Sequence, residues 1–460
     1  MAERRPLFHD PTRMPVLQLR DWLASGAISA VEVADAFLAV VAAKEPQLEA
    51  WAFIDPDLVR RQAAERDAHR KAGRPLGPLH GIPVGLKDLI DTADMPTENG
   101  TVLDAGRRPQ RDAQIVARLK AAGAVIMGKT AMTELAYFSP CRTRNPHDPE
   151  RTPGGSSSGS AAAVAAGMVP LAVGTQTMGS VIRPASFCGV HGFKPSHGLI
   201  GRSGLLLLSR TLDTVGVFAR ELEGVALLAD ALEGHDGDDP DTMPRAPSRL
   251  LEHAQARPPV PPLFAFYRTP VWDEAEEATH AAFAELTEAL GGRCDLIDPG
   301  PMFAEGYAAH RTVMATEMAR NLGRYLDRGA DALSQPMREL LARGRATTAV
   351  DYLAASDWRP VLNAGLERVF ERYDAIITPA AAGEAPVGLG STGNPVFAAL
   401  WTFLGLPAVT LPLLTGPNGM PVGVQLVGRR GEDGRLLRTA AALMRLLAEE
   451  DGAAEAGGAR

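Results

Sequence analysis

The first third of the chain alternates between two hydrophobic periods. Ser29-Ala30-Val31-Glu32 has the spacing of a capping box, where serine and glutamate satisfy free N–H groups at a helix start. After it Val33, Phe37, Val40, Val41 and Lys44 recur at helical intervals, which puts an apolar stripe on one face. The charged, alanine-rich stretch 57–72 predicts a surface helix, and 112–122 predicts another. Residues 82–90, 124–127 and 170–173 are short apolar runs, as expected of buried strands. Residues 160–167 read as a helix of small side chains. This strand–helix alternation predicts an α/β fold with helices around a sheet.

The pattern changes at residues 234–262, which hold Asp236, Asp238, Asp239, Asp241 and a run of prolines. They read as a surface connection between two halves of one sheet. Beyond it, 263–267 resumes as a strand, 274–290 and 302–328 as helices, and 375–377, 408–411 and 422–426 as late strands. Residues 451–460 are rich in Gly and Ala and are expected to fray. No fixed-period repeat is present, which excludes a solenoid or propeller.

Composition narrows the function classes. A chain of 460 residues buries a core without disulfides or metal staples. Its net charge of −8 argues against a dedicated nucleic-acid binder. No apolar run is long enough for a membrane span, and Met1-Ala2-Glu3-Arg4-Arg5-Pro6 lacks the apolar stretch of a signal peptide. Cys141, Cys188 and Cys294 are few and far apart, which fits a reducing, cytoplasmic setting and neither a disulfide framework nor a zinc site.

Three motif matches fail on mechanics. Gly123-Ala124-Val125-Ile126-Met127-Gly128-Lys129-Thr130 fits the phosphate-cradle pattern, but its intervening residues are themselves an apolar strand. Gly388-Leu389-Gly390-Ser391-Thr392-Gly393 fits a dinucleotide fingerprint, yet no strand leads into it and no acidic residue follows at the required distance. Gly155-Ser156-Ser157-Ser158-Gly159 fits the nucleophile elbow of an α/β-hydrolase-type esterase, with Ser157 as nucleophile. A loop rather than a strand precedes it, and the last histidine, His310, comes too early for that triad order.

Three other segments carry chemistry. Lys87 lies among apolar neighbours in Gly81-Ile82-Pro83-Val84-Gly85-Leu86-Lys87-Asp88-Leu89-Ile90. Burial disfavours a charged lysine, and a neutral one is a proton acceptor. Gly154-Gly155-Ser156-Ser157-Ser158-Gly159-Ser160 runs straight into a helix, unlike a linker, so its glycines point to backbone conformations that side chains forbid. Gly174-Thr175-Gln176-Thr177-Met178-Gly179-Ser180 is a polar turn at a strand end, where successive N–H groups can converge on an oxyanion.

Together these segments resemble the amidase signature family, along most of the chain and most strongly from residue 81 to 195. Ser180 stands 24 positions after Ser156, as in the family pattern. The flanks Lys129-Thr130-Ala131-Met132-Thr133-Glu134, Cys188-Gly189-Val190-His191-Gly192-Phe193-Lys194-Pro195 and Gly405-Leu406-Pro407-Ala408 agree with it. The resemblance implies a single large domain over 1–460, a central mixed β-sheet covered on both faces by α-helices. Residues 17–233 would form the catalytic half and 263–443 the second half. It implies a Ser–cis-Ser–Lys triad. Ser180 is the nucleophile, Ser156 the bridge from a cis peptide, and Lys87 the base. Backbone N–H groups of Thr177, Met178, Gly179 and Ser180 form the oxyanion hole. Gly155, Ser157 and Gln176 are supporting residues. Asp88 and Asp91 serve as local hydrogen-bond partners, and no metal or organic cofactor takes part.

The sequence departs from the family where Gln176 replaces an acid, Met178 and Ser158 replace glycines, and Arg183 falls one place late. Met178 is expected to narrow or line the acyl pocket. The main functional expectation is a serine amidohydrolase acting on a small or aryl amide, with aryl esters and carbamates (urethanes) also within reach. It would act as a monomer or homodimer, without nucleic acid or membrane. The alternative within the family is the glutaminase (A) subunit of a tRNA-dependent amidotransferase. A glutamine site needs charged groups, and residues 380–403 are mostly apolar, with Trp401 and Phe403. That stretch favours an apolar or aromatic substrate. Loop logic points to residues 234–262 and the helices of 302–351 as a lid.

Overall fold

The structure is a computed structural model that describes residues 10–458. The Met1–Pro6 stretch read for a leader lies outside the described residues, as does Arg460. The strands are β1 (Trp51–Ile54), β2 (Pro83–Lys87), β3 (Val125–Thr130), β4 (Leu171–Gln176), β5 (His191–Lys194) and β6 (Thr214–Ala219). They continue with β7 (Phe264–Tyr267), β8 (Cys294–Ile297), β9 (Ala375–Pro379), β10 (Ala408–Thr415) and β11 (Pro421–Val427). Among the described residues they form one 11-stranded sheet in the order β1-β3-β2-β4-β6-β5-β10-β11-β9-β7-β8. The sheet is mixed. β2 runs parallel to β3 and β4, β7 runs parallel to β8 and β9, and the central pairs are antiparallel. Helices flank it, so this is a single-domain α/β fold.

Local signals explain several boundaries. Helix Ala30–Leu48 opens with the expected capping box: Ser29 Oγ accepts from Glu32 N at 3.1 Å and Ser29 N donates to Glu32 Oε2 at 2.9 Å. Helix Pro56–Lys71 starts on Asp55, whose carboxylate accepts from Asp57 N and Leu58 N. Strand β4 extends past the apolar run 170–173 to Gln176. The polar end is held by β6, which pairs Thr175 with Val215 and Gln176 with Thr214.

Two expectations need correction. Residues 234–262 are not simply a surface connection. Asp236, Asp239 and Thr242 are buried, as are Leu250 and Ala254 of helix Leu250–Gln255. The cause is Arg202, a buried guanidinium that needs an acid and takes Asp239 at 2.8 Å. Residues 451–458 belong to the helix Asp433–Gly458, a run rich in alanine, the best helix former.

Because β2 and β4 are adjacent and parallel, their C-terminal ends meet at one edge of the sheet. Ligands bind in open α/β sheets outside such ends. Lys87 closes β2 there, and the 177–180 turn follows β4.

Candidate active site

Lys87 is fully buried. Its Nζ donates to Ser156 Oγ at 2.6 Å and to Thr175 Oγ1 at 3.0 Å. Burial pushes its pKa down to about 7, against the opposing pull of the Asp213 carboxylate. Ser156 follows a cis peptide bond with Gly155. A Cβ on Gly155 would sit 2.8 Å from Thr392 Cγ2, so only glycine fits that approach. Ser156 and Ser180 line one cavity, with Thr177 and Met178 beside them. Among the described residues, no carbonyl or side-chain oxygen accepts from the N–H groups of Thr177, Met178, Gly179 or Ser180. Gly179 is close-packed, since a Cβ there would lie 2.9 Å from Pro395 Cβ.

The supporting residues hold this turn. Gln176 Oε1 accepts from Val181 N at 2.8 Å and Ile182 N at 3.0 Å, at the start of helix Ile182–Phe187. Its Nε2 donates to Thr402 Oγ1 at 2.9 Å, and Thr402 donates on to Met178 O at 2.7 Å. An amide at 176 therefore accepts as a carboxylate would and also donates. Ser157 Oγ donates to Thr175 O at 3.2 Å. Among the described residues no histidine bonds Ser157, so the elbow reading lacks its base.

Four residues escaped the sequence reading because their roles come from distant contacts. Asp213 accepts from Thr177 Oγ1 at 2.6 Å and from Leu208 N and Ser209 N, and burial pushes its pKa up to about 6. Buried His310 meets Thr177 O at 3.0 Å, so its Nε2 carries the proton; desolvation pushes its pKa down to about 4. Thr402 is the third. Arg183 is the fourth in its partners: Nη2 donates to Gly155 O at 2.6 Å and Thr392 Oγ1 at 3.2 Å, and Nη1 to Gly393 O at 2.7 Å. The Gly-rich loop that mimicked a dinucleotide fingerprint thus braces the arginine behind Ser156.

The other distrusted match also resolves. Gly128, Lys129 and Thr130 lie in β3, and buried Lys129 donates to Ile90 O and to Thr97 Oγ1 at 2.7 Å. Asp88 accepts from Glu98 N at 3.2 Å, and Asp91 pairs with Arg107 at 2.7 Å. Among the described residues no group of three His, Cys, Asp or Glu side chains could hold a metal ion, and no helix is long and apolar enough to cross a membrane.

The cavity at Ser180 measures about 20 Å³, room for roughly one water. Its apolar wall is Tyr137, Phe138, Met178, Leu208, Met314 and Met318. This corrects the expectation for residues 380–403, of which only Pro395 lines the cavity. Trp401 and Phe403 are wholly buried in the core, with Trp401 edge-on to Tyr267 at 6.2 Å. Of the expected lid segments, helix Glu305–Leu322 contributes Met314 and Met318, and residues 234–262 contribute nothing to this wall.

A family model described as Amidase matches residues 32–437, and the chain belongs to the amidase signature family. A glutamyl-tRNA(Gln) amidotransferase subunit from Chloroflexus aurantiacus is 33% identical, over 92% of this chain and 94% of that protein. A peptide amidase from Stenotrophomonas maltophilia superposes with a TM-score of 0.81 at 30% identity, covering 94% of this chain and 96% of that one. A chain from an unexpected vestigial protein complex, bearing on the evolutionary origins of an s-triazine catabolic enzyme, gives a TM-score of 0.87. It is 30% identical, over 94% of this chain and 98% of its own.

Proposed function

We propose that the protein is a serine amidohydrolase that cleaves the C–N bond of a small apolar or aryl amide. The observation that carries this reading is the 2.6 Å contact of a buried, near-neutral Lys87 with Ser156 in a cavity shared with Ser180. In this reading Lys87 takes the Ser156 proton as Ser156 Oγ takes that of Ser180. Ser180 Oγ bonds to the carbonyl carbon, and the C=O electron pair moves to oxygen. The unclaimed N–H groups of Thr177, Met178, Gly179 and Ser180 receive that oxyanion, where one such donor is worth about 3–4 kcal/mol. The relay returns the proton to the leaving nitrogen, the C–N bond breaks, and water repeats the sequence on the acyl-enzyme. The same chemistry extends to aryl esters and carbamates.

The apolar wall supports an apolar acyl or aryl group. Met178, Met314 and Met318 are flexible side chains that can repack to admit it. The second reading, a glutaminase subunit of a tRNA-dependent amidotransferase, is favoured by the Chloroflexus relative. The cavity favours the first. Among the described residues no carboxylate lines it to meet the ammonium of free glutamine, and both terminal nitrogens of Arg183 already donate to main-chain carbonyls.

An assay of the purified chain alone with an anilide, an aryl ester, an aryl carbamate and free glutamine separates the two. The first reading predicts aniline or phenol release and no ammonia from glutamine. Ammonia from glutamine, with partner subunits retained through gentle purification, would reverse the choice.

A further inference from the structure

Two carbonyls of the turn before Ser180 are gripped by side chains from distant helices. His310, on helix Glu305–Leu322, and Thr402, on helix Val396–Leu404, are both buried, and neither lines the cavity at Ser180. His310 Nε2 meets Thr177 O at 3.0 Å. Desolvation keeps the ring neutral, so it has one N–H, and a carbonyl can only accept it. Nδ1 has no partner among the described residues, so the whole donor capacity of the ring goes to Thr177 O. Thr402 Oγ1 accepts from Gln176 Nε2 at 2.9 Å and has one proton to give. Met178 O, at 2.7 Å, is nearer to it than Ala398 O at 2.9 Å.

A trans peptide is planar, with its C=O and the following N–H pointing in opposite directions. The 177–178 and 178–179 peptides are both trans. A donor that fixes Thr177 O therefore also fixes the direction of Met178 N–H, and one that fixes Met178 O fixes that of Gly179 N–H. Both N–H groups point away from the side chains that hold the carbonyls. Among the described residues neither has an acceptor, so no bond of their own fixes them. Oxyanion stabilisation depends on donors held in place before the charge develops.

We propose that His310 and Thr402 are positioning residues that aim the Met178 and Gly179 N–H groups at the oxyanion. The inference rests on the reaction proposed at Ser180, and it adds that the hole is aimed from behind by two side chains that act through peptide planes.

Steady-state kinetics of the full chain on para-nitroacetanilide and on para-nitrophenyl acetate test it. His310→Leu and Thr402→Val should each lower kcat about 10- to 100-fold, less than the roughly 10²–10³-fold cost of deleting a donor outright. KM should stay within about twofold, because the oxyanion forms only beyond the ground state. His310→Gln and Thr402→Ser keep a donor at each place and should recover most of the loss. Thr402→Val is close to isosteric and carries the test by itself where His310→Leu fails to fold. An unchanged kcat in Thr402→Val, a loss that falls on KM, or conservative variants as impaired as the apolar ones would overturn the positioning role and leave the amidohydrolase reading standing. No product from the unaltered chain with either substrate would overturn that reading and this inference with it.

Discussion

Lys87 combines full burial with a hydrogen bond to the one hydroxyl that would pass it a proton. In the proposed relay its working form is the free amine, whose fraction rises with pH through about 7. The pH profile of kcat/KM should therefore have an acid limb near 7 and a plateau above it. Asp213 attracts the Lys87 ammonium and so holds that pKa up; Asp213→Asn should move the limb to lower pH. Lys87→Met should remove the limb and cost about 10²–10⁴-fold in rate. A limb that survives Lys87→Met, or moves to higher pH in Asp213→Asn, contradicts this role. Neutral His310, at about 4, titrates too low to supply it. Lys87, Ser156 and Ser180 were legible in the sequence because each sits in a short segment of unusual composition. Asp213 and His310 were not. An aspartate before a strand and a histidine inside a helix carry no local signal, and their partners at Thr177 lie 36 and 133 positions away.

The loops around Ser156 are held by one side chain. Arg183, on the short helix after Ser180, ties the Gly155 carbonyl to the 392–393 loop. Its place one residue later than the family pattern leaves it pointed at these carbonyls, with no acid among its hydrogen-bond partners. Arg183→Met strands the buried Gly155 carbonyl, at about 1–3 kcal/mol for an acceptor left without a donor, and frees the half-buried Gly393 carbonyl. Thermal melts should show that loss, and kcat should fall more than KM changes because Ser156 loses its support. A melt and a kcat like those of the unaltered chain would contradict the bracing role. Helix Val396–Leu404 shows where composition misleads. From Phe397 to Leu404 every residue is buried, so a run that looked like an aromatic pocket is core. Sequence cannot separate the two, because core and cavity walls draw on the same side chains.

The two groups of strands join at one seam. β5 pairs antiparallel with β10, and buried Lys194 of β5 donates to Pro195 O at 3.0 Å and to Leu406 O just before β10. A sheet that continues through the seam should hold together without the covalent connection. Residues 243–247 are exposed, so limited trypsin should cut at Arg245. The two fragments should co-elute in native buffer and separate only in denaturant. Fragments that separate in native buffer would contradict a continuous sheet. The α/β alternation was legible from periodicity. The strand order was not, because β5 and β10 find one another across nearly half the chain and no local pattern encodes that choice.

The relay through Ser180 is tested most directly by covalent trapping. The purified chain is treated with a serine-reactive fluorophosphonate, and the adduct is located by peptide mass spectrometry, with Lys87→Ala in parallel. The predicted result is one adduct on Ser180 that is lost or strongly slowed without Lys87. An adduct on Ser157 that persists in Lys87→Ala would contradict the relay.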